Sequence, residues 1–479
     1  MTLLLPTGDG WLWLELVWVL GMSAWILLER RPPLATLSWI LGLSLLPVVG
    51  ILVYYFLGPR RLRRRQLRRR LARTAVARSR PRAMVELLEH AASLRDEIGD
   101  VGAALVQVAI AARQGPPLGA DAVALYGNGS EAYDAMLAAI EGARHHVHLE
   151  YYIIERGRVA DRLREALLAR CRAGVAVRLL LDGLGTGRMD GWLAPLRAAG
   201  VRVARFNPRN RPGFMNFRTH RKIVVVDGRC AFTGGMNVAD AHDARIVGED
   251  RAWRDTQIRL DGDAAVPLQL AFLEDWHYAT GEWVEGEGYL PGLTGGGTLP
   301  VQILASGPDT PEEPIRSGYM TAIGLARHRL WITTPYFVPD EPLELALRTA
   351  AMRGVDVRVL VPADSDHRFV DAAAASYFPE LLAAGVRVYR YGPPALHAKT
   401  MVVDAHIAIM GSANFDNRSF RLNFEASAAV FAPSVVETLA AMFEADLARA
   451  ARVTHDQVSG TPIPTRLLQG VARLMSPML

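Results

Sequence analysis

One eight-residue motif occurs twice in the chain. It reads His-x-Lys-x-x-x-x-Asp, and its copies are HRKIVVVD at 220–227 and HAKTMVVD at 397–404. The 54 basic residues include only two lysines, Lys222 and Lys399, and both lie in these copies. With 12 histidines among 479 residues, the odds that both lysines follow a histidine at this spacing are about one in 1,600. The chain is therefore built from two related halves, and its fold must contain two copies of one structural unit.

Both halves repeat the same order of predicted elements. Residues 135–154 and 318–338 each read as a helix followed by a short strand. Residues 163–183 and 343–363 each read as a helix, a glycine and an apolar strand. Alternating helices and apolar strands predict an α/β protein with mixed β-sheets. We therefore predict two α/β domains related by a pseudo-twofold axis, with the two motifs facing each other across a cleft.

Two apolar stretches precede the repeat, at residues 11–28 and 35–57. As helices, both stretches are long enough to cross a hydrocarbon core of about 30 Å. No basic residue precedes the first stretch, which disfavours the alternative of a cleaved signal peptide. The sequence therefore predicts a two-helix transmembrane hairpin. The arginines that follow it place the rest of the chain in the cytoplasm, because basic residues flank membrane spans on that side.

An arginine-rich stretch follows the hairpin. Residues 59–82 contain twelve arginines and no acid, so the remainder of a chain with net charge +5 carries about −7. A basic surface beside a membrane attracts anionic lipid. The acidic remainder offers no extended basic groove, so we predict a lipid bilayer and no nucleic acid as the partner. The residues predicted to form the lipid-binding surface are Arg60, Arg61, Arg63, Arg64, Arg65, Arg68, Arg69 and Arg70.

These features divide the chain into four predicted segments, with Gly- and Pro-rich stretches between the later ones. The segments are a transmembrane hairpin at 1–58, arginine-rich juxtamembrane helices and a linker at 59–116, a first α/β domain at 117–292, and a second α/β domain at 293–479 that ends in an amphipathic tail. That tail can lie on a membrane or cap the second domain, and the sequence does not decide between the two.

Two histidines and two lysines supply the groups that cleavage of a phosphodiester needs. A neutral imidazole can attack phosphorus, a protonated imidazole can give its proton to the leaving oxygen, and ammonium groups can neutralise the phosphate oxygens. Lysine is a compact cation, whereas the guanidinium of arginine is a broad planar fork that would crowd a phosphorus between two imidazoles. The compact shape of lysine therefore explains why Lys222 and Lys399 occur in a chain whose other basic residues are arginines. The spacing alone does not decide which histidine attacks.

The paired motif resembles that of the phospholipase D superfamily. The segments GSANFDNRSFRLNFE (411–425), WRDTQIRLDG (253–262) and TTPYFVP (333–339), with the predicted hairpin and the final RLMSPML, resemble bacterial cardiolipin synthases over nearly the whole chain. The resemblance implies two phospholipase D-like domains in the bacterial inner membrane. It also implies phosphatidyl transfer from one phosphatidylglycerol to the glycerol hydroxyl of another, through a phosphatidyl-histidine intermediate and without a metal or other cofactor. The products would be cardiolipin and glycerol.

The resemblance also implies roles for particular residues. His220 is expected to be the nucleophile and His397 the general acid and base. Glu425 resembles the downstream glutamate that holds the second-half histidine, and Asp255 occupies the equivalent place in the first half. A carboxylate of this kind fixes the tautomer of its histidine. We therefore expect Glu425 beside His397 and Asp255 beside His220.

The remaining site residues are assigned by position in the motif and its surroundings. The catalytic set is completed by Lys222, Lys399, Asp227 and Asp404, of which the aspartates are expected to order the loops at the strand ends. The residues expected at the substrate phosphate are Asn237, Ser412, Asn414 and Gly235.

Three alternative functions stay open. They are a membrane-bound enzyme that is either a phospholipase D using water as acceptor or a synthase preferring another donor lipid, a nucleic-acid phosphodiesterase, and an inactive membrane scaffold. A metal site is a further hypothesis for RHHVHLE at 144–150, where His148 and Glu150 share one strand face. The second half does not repeat this cluster, which favours an ordinary buried strand. No metal is therefore predicted.

Overall fold

The computed structural model describes residues 8–28, 33–45, 92–187, 189–208, 216–284 and 286–476. The chain divides into two compact units. The first contains helices α1 (Gly8–Leu28) and α2 (Pro33–Leu45), which pack through Ile26 and Leu43. Within the described ranges, no helix combines the length and the apolar character that a membrane crossing requires. The predicted hairpin runs on to residue 57, and this part of it, with the predicted arginine surface, lies outside those ranges.

Among the described residues, the second unit contains all the strands and every helix after α2. Its helices are α3 (Arg95–Ala111), α4 (Gly129–Glu141), α5 (Arg158–Arg172), α6 (Asp190–Ala198), α7 (Ala244–Val247), α8 (Val266–Thr280), α9 (Pro314–Leu325), α10 (Glu341–Met352), α11 (Arg368–Ala375), α12 (Phe378–Ala383), α13 (Asn417–Arg421), α14 (Pro433–Leu447), α15 (His455–Ser459) and α16 (Ile463–Leu474). Its strands are β1 (Leu118–Tyr126), β2 (His146–Tyr151), β3 (Ala176–Asp182), β4 (Arg202–Phe206), β5 (Ile223–Val226), β6 (Cys230–Gly234), β7 (Gln257–Gly262), β8 (Leu299–Ser306), β9 (Arg329–Thr333), β10 (Phe337–Val338), β11 (Asp356–Pro362), β12 (Arg387–Tyr391), β13 (Thr400–Val403), β14 (Ile407–Gly411), β15 (Phe415–Asp416), β16 (Glu425–Val430) and β17 (Ala450–Arg452).

Fifteen of these strands form one mixed sheet whose order is symmetrical about its centre. β1 and β8 lie side by side in the middle. Outward from β1 the order is β7, β6, β5, β2, β3 and β4, and outward from β8 it is β16, β14, β13, β9, β11 and β12, followed by β17. The predicted mixed α/β fold is confirmed. The boundary predicted at residues 292 and 293 precedes β8, but the sheet continues across it, so the division into two domains stays a prediction.

The two motif strands, β5 and β13, occupy equivalent inner positions in this sheet. All four residues of each strand are buried. A strand that is apolar on both faces needs cover on both faces, which helices provide in α/β folds. One buried cluster contains Ile223 and Val225 from the first half together with Val402 and Met410 from the second. Because this core crosses from one half to the other, it fixes the two motifs relative to each other.

Candidate active site

Both motif histidines line one cavity of about 560 Å³. His220 lies three residues before β5, and His397 lies three residues before β13. Because the two strands occupy equivalent places in the sheet, the histidines reach the same cavity from opposite halves. The cleft that the sequence repeat predicts is therefore present.

The first-half histidine is held by a carboxylate from the second half. His220 Nδ1 lies 2.9 Å and 3.1 Å from the two carboxylate oxygens of Glu425, and 3.1 Å from the carbonyl oxygen of Ser412. The backbone N–H of His220 donates to the carbonyl of Phe424 at 2.8 Å, which brings the next residue, Glu425, beside the ring. These oxygens are all acceptors, so Nδ1 carries the hydrogen and Nε2 keeps a lone pair when the ring is neutral.

The second-half histidine is held in the same way by the first half. His397 Nδ1 lies 2.6 Å from Asp255 Oδ2. The backbone N–H of His397 donates to the carbonyl of Arg254 at 2.7 Å, so the next residue, Asp255, comes beside the ring. Gly235 leaves room for this carboxylate, since a Cβ there would lie 2.1 Å from Asp255 Oδ1. In both halves, therefore, Nε2 is the ring nitrogen that remains for chemistry.

This pairing reverses the one expected from the sequence. Glu425 was expected beside His397 and Asp255 beside His220, each within its own half. The backbone hydrogen bonds just described run between the halves instead, so each histidine meets the carboxylate of the opposite half. The two halves share one pattern, and a shared pattern is equally compatible with contacts within a half and between halves.

In the protein without substrate, the surroundings of His220 and His397 lower the pKa of each ring and favour its neutral form. Burial lowers the pKa of His220, although the charge of Glu425 acts in the opposite direction. Burial and the charge of Lys399 lower the pKa of His397 to about 3, while Asp255 acts to raise it. Burial raises the pKa of Asp255, but Lys399 and His397 outweigh burial and bring it to about 2. The result is a neutral imidazole beside an ionised carboxylate, which favours a nucleophilic Nε2.

The two lysines are buried beside the histidines. Lys222 Nζ donates to the carbonyl of His220 at 2.7 Å, and Lys399 Nζ donates to the carbonyl of His397. The ring of Tyr152 lies 5.7 Å from Lys222 Nζ. Burial lowers the pKa of Lys222 to about 7 and that of Lys399 to about 8. A bound anion would favour the charged form of both lysines, because opposite charges raise the pKa of an ammonium group.

The motif aspartates lie at the far ends of the motif strands. Asp227 follows β5 whereas Lys222 precedes it, a separation of about 16 Å along a strand. The Asp227 carboxylate accepts the backbone N–H groups of Arg144, His145 and His146 at 2.8–2.9 Å. The Asp404 carboxylate accepts those of Arg327, His328 and Arg329 at 2.7–3.0 Å. These contacts order the loops that precede β2 and β9, as expected for the two aspartates, and their place in the catalytic set stays a prediction.

Two of the four residues predicted at the phosphate line the cavity. They are Asn237 and Asn414, and the Oδ1 atom of each is buried without a hydrogen-bond partner among the described residues. Ser412 lies behind the site, where its hydroxyl donates to Glu425. Gly235 lies against Asp255. Ser412 and Gly235 therefore position the carboxylates, which differs from the phosphate contact predicted for them.

Two further histidines line the cavity, His242 and His367, and sequence reasoning missed both. His242 is buried, and its Nδ1 lies 4.0 Å from Asp255 Oδ2. Burial lowers its pKa to about 4. Ser419 stands at the equivalent distance after the second motif, so the repeat gives no signal for this histidine. His242 ends the short 3₁₀ helix Asp240–His242, and Ala241 of the same helix also lines the cavity.

His242, Asp255 and His397 bring possible metal ligands within 4.8 Å of one another. Two histidines and a carboxylate are a donor set that zinc accepts. The 2.6 Å between Asp255 Oδ2 and His397 Nδ1 is a hydrogen-bond distance, shorter than the ~3.3 Å between two ligands of a tetrahedral zinc ion. The observed geometry thus fits a shared proton between these two groups.

In the histidine run at 145–148, His146 and His148 lie in the buried strand β2, whereas His145 is exposed just before it. His148 Nδ1 lies 3.1 Å from Gln269 Oε1, and its Nε2 lies 3.3 Å from Arg178 Nη1. Glu150 accepts a hydrogen bond from the hydroxyl of Thr219. Both nitrogens of His148 are therefore engaged with protein groups, which supports the buried-strand alternative over a metal site.

The family model and the similar proteins found for this chain all indicate the same family. A family model described as "Cardiolipin synthase, PLD-like domain" matches residues 136–242 and 319–447, one segment in each half. The cardiolipin synthase of Geobacillus kaustophilus is 37% identical, with 96% of this chain and 92% of its own length aligned. Cardiolipin synthase 1 of Bacillus anthracis is 36% identical, with 99% and 94% aligned.

A solved structure supports the fold. The crystal structure of the phosphatidylserine synthase of Haemophilus influenzae aligns with a TM-score of 0.57 at 14% identity. The alignment covers 78% of this chain and 100% of that one. A likeness at this level of identity shows a common fold and carries no statement about activity.

Proposed function

Because this chain belongs to the cardiolipin synthase family, we propose that the cavity lined by His220 and His397 joins two phosphatidylglycerol molecules into cardiolipin. The reaction moves a phosphatidyl group from one molecule to the glycerol hydroxyl of the other and releases glycerol. The observation that carries the proposal is the crossed pairing of His220 with Glu425 and of His397 with Asp255 beside one cavity. Two oriented imidazoles and two buried ammonium groups are the set that phosphodiester exchange needs.

In the first half of the proposed reaction, His220 is the nucleophile. Its Nε2 attacks phosphorus, a P–N bond forms, and the P–O bond to glycerol breaks. The leaving alkoxide takes the proton from Nε2 of a protonated His397. Glu425 stabilises the positive charge that develops on the His220 ring. An anionic phosphodiester in the cavity offsets the charge of Lys399, which raises the pKa of His397 and favours its protonated form.

In the second half, the glycerol hydroxyl of a second phosphatidylglycerol is the acceptor. Neutral His397 removes the proton from this hydroxyl, the resulting oxygen attacks phosphorus, and the P–N bond to His220 breaks. Cardiolipin leaves, and His397 is again protonated. Lys222 and Lys399 supply positive charge at the non-bridging oxygens throughout, and the side-chain amides of Asn237 and Asn414, which line the cavity, donate hydrogen bonds to them.

A membrane location follows from this substrate class. We propose that the apolar N-terminal stretches attach the chain to the bacterial inner membrane and that the catalytic part lies in the cytoplasm. The arginine-rich stretch at 59–82, with twelve arginines and no acid, supports this orientation. It also supports attraction to anionic phosphatidylglycerol.

The test is a product analysis with purified full-length protein in liposomes of phosphatidylglycerol labelled in its acyl chains. Mass spectrometry should find cardiolipin and glycerol, and both products should disappear in His220→Ala and in His397→Ala. His406→Ala changes an exposed histidine two residues after the second motif and serves as the matched control, which should retain activity. Phosphatidic acid as the sole product would instead assign a hydrolase.

The roles of the two histidines need a separate measurement. Rapid acid quenching followed by peptide mass spectrometry should find the phosphatidyl adduct on the peptide that contains His220. An adduct on His397 would exchange the two roles and leave the overall reaction intact.

A further inference from the structure

The C-terminal helix α16 exposes its apolar side, whereas an ordinary amphipathic surface helix packs that side against the core. The large apolar residues of the helix and of its C-cap are 41–81% exposed, and they are Ile463, Leu467, Leu468, Val471, Leu474 and the C-cap Met475. At 100° per residue these six side chains occupy an arc of about 140° on one side of the helix. We call this arc the outward face. An amphipathic helix that only capped its domain would place such a face against the core.

The inner side of α16 is small and polar. Ala472 is fully buried against the core that includes Ala373 of α11. Arg473 forms ion pairs with Glu344 at 3.0 Å and with Glu380 at 3.2 Å. These contacts fix the rotation of the helix, so the outward face is a defined surface of the fold.

The outward face is next to the candidate active site. Helix α11 packs against α16, and Phe369 and Val370 at its beginning line the cavity. The end of α16 is also tied to the cavity wall, because Asn417 Nδ2 donates to the carbonyl of Ser476 at 3.2 Å. The neighbours of Asn417 in sequence, Asp416 and Arg418, both line the cavity. Helix α16 therefore lies at the edge of the site where substrate is bound.

We propose that the outward face of α16, together with Phe369, docks on the surface of the lipid bilayer and holds the cavity entrance against it. This inference rests on the proposed function, because a lipid substrate keeps its acyl chains in the bilayer while its phosphate enters a polar cavity. Exposed Arg466 on α16 and Arg368 on α11 add positive charge beside the apolar residues. An amphipathic helix with this composition binds an anionic interface through buried apolar area and through charge.

The test compares two substrate forms with full-length protein. One is long-chain phosphatidylglycerol in vesicles, and the other is dihexanoyl-phosphatidylglycerol below its critical micelle concentration, which needs no interface. Leu467→Gln with Val471→Gln removes two residues of the outward face. The matched control is Leu345→Gln with Met352→Gln on α10, since those side chains are 55% and 65% exposed.

The outward-face variant should lose about ten-fold in rate on vesicles and stay within about two-fold of the parent protein on the dispersed lipid. The α10 control should keep both rates. Equal vesicle rates for the two variants would overturn the proposal, and so would an equal loss on both substrates. Failure of the parent protein to make cardiolipin from either substrate would refute the proposed function itself.

A second measurement excludes another occupant of this face. Sedimentation of the parent protein and the outward-face variant should give the same mass in detergent. A parent dimer that becomes a monomer in the variant, with unchanged vesicle rates, would make the outward face an interface between two copies and overturn the proposal.

Discussion

His220 Nδ1 lies 2.9 Å from Glu425 Oε1, across 205 residues of sequence. Glu425→Gln keeps the shape of this side chain and removes its charge, so the developing imidazolium loses its counter-ion. We expect kcat to fall about 10²- to 10⁴-fold, as for the carboxylate of a catalytic triad. Glu444→Gln, which changes an exposed glutamate on α14, should have no effect. Initial rates of cardiolipin formation measure both variants.

The crossed geometry can be tested directly. With ¹⁵N-labelled histidine, Glu425→Gln should move the Nδ1 resonance of His220, and Asp255→Asn should move that of His397. If each substitution moved the resonance of the histidine in its own half, the crossed pairing would be wrong.

Replacing either lysine with arginine should abolish most activity although it keeps the positive charge. Lys222 is fully buried, and its ammonium lies 2.7 Å from the His220 carbonyl. A planar guanidinium does not fit this contact, and forcing it in displaces the histidine. We expect Lys222→Arg and Lys399→Arg each to lower kcat/KM about 10²-fold or more. Activity near that of the parent protein would show that charge alone is required.

Phosphate affinity should depend on pH through the same two lysines. Burial lowers the pKa of Lys222 to about 7 and of Lys399 to about 8, so in the protein alone both ammonium groups lose their protons as pH rises through that window. Affinity for the soluble headgroup glycerophosphoglycerol should therefore be high at pH 6 and fall above about pH 7 to 8. Calorimetry in two buffers should also detect proton uptake on binding near pH 8. Constant affinity from pH 6 to 9 would contradict the argument.

Asp227→Asn should affect stability more than chemistry. Asp227 has φ +52°, a conformation that asparagine also tolerates, and its carboxylate accepts three backbone N–H groups. The loss of these charge-assisted bonds should cost about 1–3 kcal/mol of unfolding free energy and lower Tm. The folded variant should keep kcat within about three-fold, since the residue lies some 16 Å along the strand from Lys222. Asp250→Asn, at an exposed position, is the control. A kcat lower by 10²-fold with unchanged Tm would show that Asp227 takes part in catalysis.

Chelation should leave the reaction intact. The two buried ammonium groups supply the positive charge that a metal would otherwise provide. We expect the same rate before and after dialysis against EDTA. If EDTA removed activity and zinc restored it, His242, Asp255 and His397 would be the ligands to test, beginning with the metal content of His242→Gln.

The duplication, the residue types of the reaction and the mixed α/β character could all be predicted from the sequence. Strand β5 is apolar over its whole length and β13 is apolar apart from Thr400, and strands of this kind are buried wherever the chain places them. The two lysines stood out because the chain uses arginine elsewhere. These conclusions depend on local pattern and on chemistry, and both are present in a linear sequence.

Which groups meet could not be predicted from the sequence and is seen in the folded chain. In the fold, Glu425 lies beside His220, and His242 lines the cavity. Asp227 lies at the far end of β5, and the apolar side of α16 is exposed. Local periodicity specifies a helix or a strand, but not which distant segment it will contact. Contacts across about 200 residues depend on the path of the chain through the sheet, and that path is set by the packing of the whole core.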